Sequence, residues 1–180
     1  MSLVALVAAV ALQAGADPFA GLTNTRVVHY PVSGRSAAAV RRSMEASRPA
    51  EEDGRRYDGL TTWEYGYRYR HDGRGGCDPA TTEVTYTITV TMPQLTTPGQ
   101  LDRRERASWD AYYAGLAAHE RNHVLIALRG AQELERAIRA AEGCAGMEAA
   151  AQRVMADVDA ASRTYDERTR HGGLEIPPFG

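Results

Sequence analysis

Lysine is missing from the 180-residue chain: all 21 basic residues are arginine. That excludes Schiff-base chemistry at a lysine and the phosphate-holding lysine of a P-loop. Excess positive charge is missing too. The formal net charge is −2 and the pI is about 6.2, so no basic field draws in nucleic acid or an anionic lipid surface. Apolar runs stop short of the roughly 20 residues that cross a bilayer. Cysteine is down to Cys77 and Cys144, with no CxxC spacing, which argues against a thiol redox centre or a cysteine-built zinc cluster.

What remains is the balance of a globular protein, 43% hydrophobic and 24% charged. Residues 3–12 (LVALVAAVAL) form an apolar run, followed by the small residues Ala14, Gly15 and Ala16. The pattern fits a secretory signal peptide over residues 1–16, although no Arg or Lys precedes the run. It places the protein in a secreted or periplasmic compartment, with no stable membrane anchor once the leader is gone. In an oxidising compartment an even cysteine pair implies a Cys77–Cys144 disulfide.

Residues 17–25 read as a linker, 26–173 as one domain, and 174–180 as a loose tail. A strand is expected over 26–32 and a short helix, capped by Ser36, over 37–46. Residues 61–70 place Trp63, Tyr65, Tyr67 and Tyr69 on one face, and 82–92 place Val84, Tyr86, Ile88, Val90 and Met92 on one face. Such period-2 alternation marks half-buried strands, here joined as an antiparallel hairpin. Asp102 and Glu105 form a capping box for a helix running to 142, with a break near Trp109 allowed by its length. A second helix from 145 to 170 carries the stripe Met147, Ala151, Val154, Val158, Ala161, Tyr165. The expected class is α+β: a small antiparallel sheet packed on a long two-helix hairpin, with a zincin-like metal helix.

The chemistry sits on the first long helix, at His119-Glu120-Arg121-Asn122-His123. In an HExxH sequence the imidazoles at i and i+4 lie one turn apart on one face and converge on a tetrahedral ion. The glutamate, about 100° round the axis, reaches a water in the ion's open position without ligating. A catalytic zinc needs a third protein ligand. The metzincin extension is absent, because Ile126 and Arg129 stand where it requires Gly and His. If the two helices turn back at residue 143 or 144, position 119 lies level with about 168 and position 123 with about 164. That brings Tyr165, Asp166, Thr169 and His171 near the pair. His171 is the favoured third ligand, Asp166 the alternative, and Tyr165 a hydrogen-bond donor to an oxyanion. His29 reads as a partly buried structural histidine and His71 as solvated.

Several segments carry a resemblance: Tyr30-Pro31-Val32-Ser33-Gly34, Gly59-Leu60-Thr61-Thr62-Trp63, Cys77, Trp109-Asp110-Ala111-Tyr112, the HExxH segment, Cys144, and Tyr165-Asp166-Glu167-Arg168-Thr169-Arg170-His171-Gly172. Together they make the chain resemble a bacterial family of uncharacterised proteins known as predicted secreted zinc-dependent proteases. The resemblance implies a leader, a paired Cys77 and Cys144, and zinc held by His119, His123 and His171.

The expected function is thus a secreted zinc metallopeptidase acting on peptide or protein substrates, with Glu120 as general base and no nucleic-acid partner. Two rivals stand beside it. One is a non-catalytic envelope protein with a structural zinc or a partner-binding helical hairpin; the other is a zinc amidase acting on the cell wall.

Overall fold

A computed structural model of the chain describes residues 17–50, 54–71, 73 and 76–180. The leader expected over 1–16 lies outside the described residues. The elements are β1 (Thr25–Val32), α1 (Ala37–Ser47), β2 (Leu60–His71), β3 (Cys77–Leu95), a 3₁₀ turn at Pro98–Gln100, α2 (Arg103–Ala140) and α3 (Gly143–Thr169). The class is α+β, with the two long helices packed against each other and against one face of the sheet.

Local chemistry explains the boundaries. Ser36 is extended and its hydroxyl accepts from the Ala39 N–H at 3.3 Å, which starts α1. Asp102 and Glu105 close a reciprocal capping box at the start of α2. That helix then runs 38 residues without a break at Trp109, about 57 Å of continuous rod. Gly143, at φ +65°, makes the turn into α3.

The sheet order is β1-β3-β2. β2 and β3 pair antiparallel from Leu60↔Thr91 to His71↔Cys77, with an irregularity between Arg68 and Arg70. β1 pairs with β3 in parallel, from Thr25↔Ile88 to Val32↔Leu95. The expectation of a wholly antiparallel sheet is therefore corrected to a mixed one. β1 leaves the sheet through α1, and the chain re-enters at the far edge as β2, so β1 meets β3 only after a crossover. Alternation identifies a strand, not its neighbour or direction.

Ile88, Val90 and Met92 lie beneath α1 and the first half of α2, packed with Val40, Met44, Trp109, Tyr112 and Leu116. Further along, Leu134 and Ile138 of α2 meet Met147, Ala151, Val154 and Val158 of α3 under the tyrosine row of β2. The chain has two phenylalanines, one in the segment read as a linker and one in the tail expected to be loose, and both are buried. Phe19 is 5% exposed and Phe179 is 2% exposed. Phe179 packs 5.2 Å from Trp109 and 5.7 Å from Tyr112, ring to ring. The linker and tail readings are corrected accordingly: one buried aromatic outweighs the polar, Gly- and Pro-rich residues around it.

Cys77 and Cys144 are bonded, with Cα atoms 5.1 Å apart and a sequence separation of 67. The bridge ties the start of β3 to the first turn of α3. Closing a loop of that length constrains the unfolded chain by about 4 kcal/mol on the chain-entropy model. Cys144→Ser is expected to lower the unfolding free energy by about that amount in urea titrations.

Candidate metal centre

His119, Glu120 and His123 sit midway along α2, where both sheet and α3 cover the helix, and are 5%, 4% and 6% exposed. The antiparallel return of α3 brings Asp166 opposite them. His119 Nε2 and His123 Nε2 are 3.3 Å apart. Asp166 Oδ1 is 3.2 Å from the first and 3.1 Å from the second. Ligand atoms about 2.0–2.1 Å from a tetrahedral zinc stand about 3.3–3.4 Å from one another. The three atoms thus form one face of such a tetrahedron. They are a group able to hold a metal ion.

The far sides of the rings support this. His119 Nδ1 lies 3.0 Å from Glu175 Oε2. An ionised carboxylate only accepts, so Nδ1 carries a proton, and a metal at the centre would take the Nε2 lone pair in place of the proton that Nε2 otherwise shares with Asp166. His123 Nδ1 lies 2.8 Å from Ser162 Oγ, which can accept in the same way. Burial pushes the His119 pKa down, but Asp166 and Glu175 outweigh it, and the net shift is upward. For Asp166, burial acts upward, yet its two histidine partners hold the carboxyl far below the usual range.

The Glu120 carboxylate lies against the start of β2 and lines the same cavity as the ligand atoms. Thr61 donates to its Oε2 at 2.7 Å, and Gly59 lies against its other oxygen: a Cβ on Gly59 would come within 2.6 Å of Oε1. Only glycine leaves room there. Burial raises the Glu120 pKa, partly opposed by the Thr61 hydrogen bond and the two histidines. Asp58 fixes this segment. It pairs with Arg41 at 2.6 Å and Arg48 at 2.7 Å, accepts from Tyr112 at 2.5 Å, and its carbonyl accepts from Tyr30 at 2.7 Å.

His119, Glu120, His123 and Asp166 open onto a cavity of about 280 Å³, bounded also by Tyr57, Gly59, Trp63 and His171. His171 is not among the three converging atoms. Its Nδ1 is 3.9 Å from Asp166 Oδ2, the oxygen facing away from the imidazoles. Its ring lies 5.7 Å from that of Tyr57. Tyr165 is close but on the other side: its ring stacks on His119 at 4.9 Å. Its hydroxyl donates to Glu175 at 2.7 Å and accepts from Asn122 at 2.8 Å, so it does not face the cavity. His29 is exposed. A second cluster, His71 with Cys77 and Cys144, has its sulfurs in the disulfide and offers no thiolate.

Residues 27–172 match the family described as "Bacterial protein of unknown function (DUF922)". The chain belongs to that family. No curated protein and no solved structure matches it. The DUF922 description names no activity, so the chemistry of this member is read from its own atoms.

Sequence reasoning missed Glu175, Ser162, Thr61 and Asp58. Thr61 had a signal, since it continues the inward row of Trp63 and Tyr65 as a polar residue in a core-facing place. Glu175 had none, lying in a segment of turn-forming residues.

Proposed function

We propose that the protein is an exported zinc metallopeptidase in which His119, His123 and Asp166 hold the metal and Glu120 is the general base. The observation that carries this is the triangle of ligand atoms, 3.1–3.3 Å on each side, opening beside a buried glutamate on a solvent-connected cavity. A structural zinc site is closed by a fourth protein ligand, whereas a catalytic one keeps a corner open. The cavity favours the second. Asp166 takes the third position in this reading, and His171 becomes a cavity wall.

Zinc in that place supplies Lewis acidity, lowering the pKa of a water and polarising a carbonyl. The chain's own residues do the rest. Glu120, its pKa raised by burial, accepts a proton from the attacking water and delivers it to the leaving amine. Thr61 and Gly59 hold the carboxyl in one orientation.

β2 is an edge strand. Its residues Leu60 to Glu64 form one wall of a groove of about 820 Å³ that shares Tyr57, Thr61, Asp166 and His171 with the metal cavity. An extended peptide adds to that edge by main-chain hydrogen bonds and passes across the centre. Export fits the disulfide, and among the described residues no helix is long and apolar enough to cross a membrane.

Metal analysis of the purified protein, followed by casein digestion with and without a chelator, tests the reading. Stoichiometric zinc with chelator-sensitive cleavage supports it; absence of bound zinc overturns it. Zinc without cleavage of casein, but with release from cell-wall crosslinks, moves the activity to an amidase. Zinc affinity also carries a pH signature. The proton on His119 competes with the metal, and the His119 pKa is raised. Affinity is therefore expected to rise with pH and to reach its plateau only above the ordinary histidine range near 6.5. Competition titrations between pH 5 and 9 measure this.

A further inference from the structure

The last residues of the chain do more than fill the core. Glu175 Oε2 is shared between His119 Nδ1 at 3.0 Å and the Tyr165 hydroxyl at 2.7 Å. Asn122 in turn donates to that hydroxyl at 2.8 Å. Because Tyr165 also stacks on the imidazole, with ring planes 25° apart, His119 is held on a face and at its outer nitrogen together. The carboxylate itself is well exposed, its side chain 39% accessible; left alone, it would gain little by staying there.

The backbone keeps it there. Leu174 N–H donates to the Thr169 carbonyl at 3.0 Å and Ile176 N–H to the Gly172 carbonyl at 2.8 Å. Downstream, Pro177 and Ile176 press onto α2 at Gly115, where a Cβ would come within 2.7 Å of Pro177 Cδ. Phe179 anchors the end. The segment is thus pinned on both sides of Glu175. It also lies outside the stretch shared with the family, which closes at residue 172.

We infer that Glu175 is a positioning residue for the metal centre: held by the pinned C-terminal segment, it fixes the orientation and tautomer of His119 and so sets the affinity for zinc. The inference rests on the metal reading above. Outer-shell partners of metal-bound histidines change metal affinity by about 10–100-fold when removed.

The test measures the zinc dissociation constant of the full chain by competition with a chromophoric chelator, for wild type, Glu175→Ala and Glu175→Gln. Thermal unfolding of the zinc-free proteins is followed in parallel. Glu175→Ala is expected to weaken zinc binding by about 10–100-fold while the zinc-free unfolding temperature stays at the wild-type value, since the side chain is exposed. Glu175→Gln, which keeps an acceptor for Nδ1–H, is expected to recover most of the loss. Wild-type affinity in Glu175→Ala overturns the inference and leaves the metal centre standing. An equal loss in Glu175→Gln also overturns it, because the acceptor is then not what acts. A wild-type chain that binds no zinc overturns the metal centre itself.

Discussion

Glu120→Gln is expected to lower peptide hydrolysis by about 10²–10⁴-fold, the range for removing a general acid–base group, while zinc stays bound at wild-type stoichiometry. The substitution keeps the shape of a side chain that is 4% exposed. Thr61 can still donate to the amide oxygen as it does to Glu120 Oε2, and the close approach of Gly59 is unchanged in volume. What is lost is the ability to take up a proton. The burial that raises the pKa of Glu120 is also what makes it an effective base, because a carboxylate with an ordinary pKa binds a proton too weakly near neutrality. Zinc content by atomic absorption and initial rates on a peptide substrate separate the two effects. Full activity would remove Glu120 from the chemistry, and the hydrolase reading with it.

Much of this centre can be read from spacing alone. His119 and His123 converge because an α-helix places i and i+4 on one face, and nothing in the tertiary structure has to be known for that. The helical hairpin register is nearly as legible: counting back from Gly143 puts positions 164–168 opposite the pair, and Asp166 and Ser162 are the residues found at their ring nitrogens. The capping box and the inward row of β2 follow from equally local rules. Other features do not. The parallel pairing of β1 depends on where α1 delivers the chain, which no residue of β1 encodes. The roles of Asp58 and Glu175 depend on contacts with Arg41 and Tyr112 in one case and His119 in the other. They are partners 17, 54 and 56 residues away, beyond any periodic pattern. Phe179 is hidden from sequence for a related reason: its cage of Trp109 and Tyr112 exists only once α2 has packed.

Asp166→Ala is expected to weaken zinc binding by more than the roughly 100-fold ceiling seen for outer-shell groups, and His171→Ala to leave it unchanged. The sequence favours His171, because the hairpin register brings it near the histidine pair. Geometry reverses the order. α3 ends at Thr169, and Arg170 and His171 then take left-handed conformations at φ +53° and +52°, uncommon for residues with a side chain. The chain therefore leaves the helix axis before His171, and its ring comes to rest against Tyr57 rather than the imidazoles. Asp166, still inside the helix, points straight at both Nε2 atoms. Neither substitution touches the Val154–Val158 packing or the disulfide, so circular dichroism of both variants should match wild type and any loss of zinc reports the ligand itself. The opposite pattern, zinc lost with His171→Ala and kept with Asp166→Ala, would give the third position to the histidine. It would mean that the metal pulls residues 170–172 out of their left-handed turn, a change visible as altered amide signals for that segment on adding zinc.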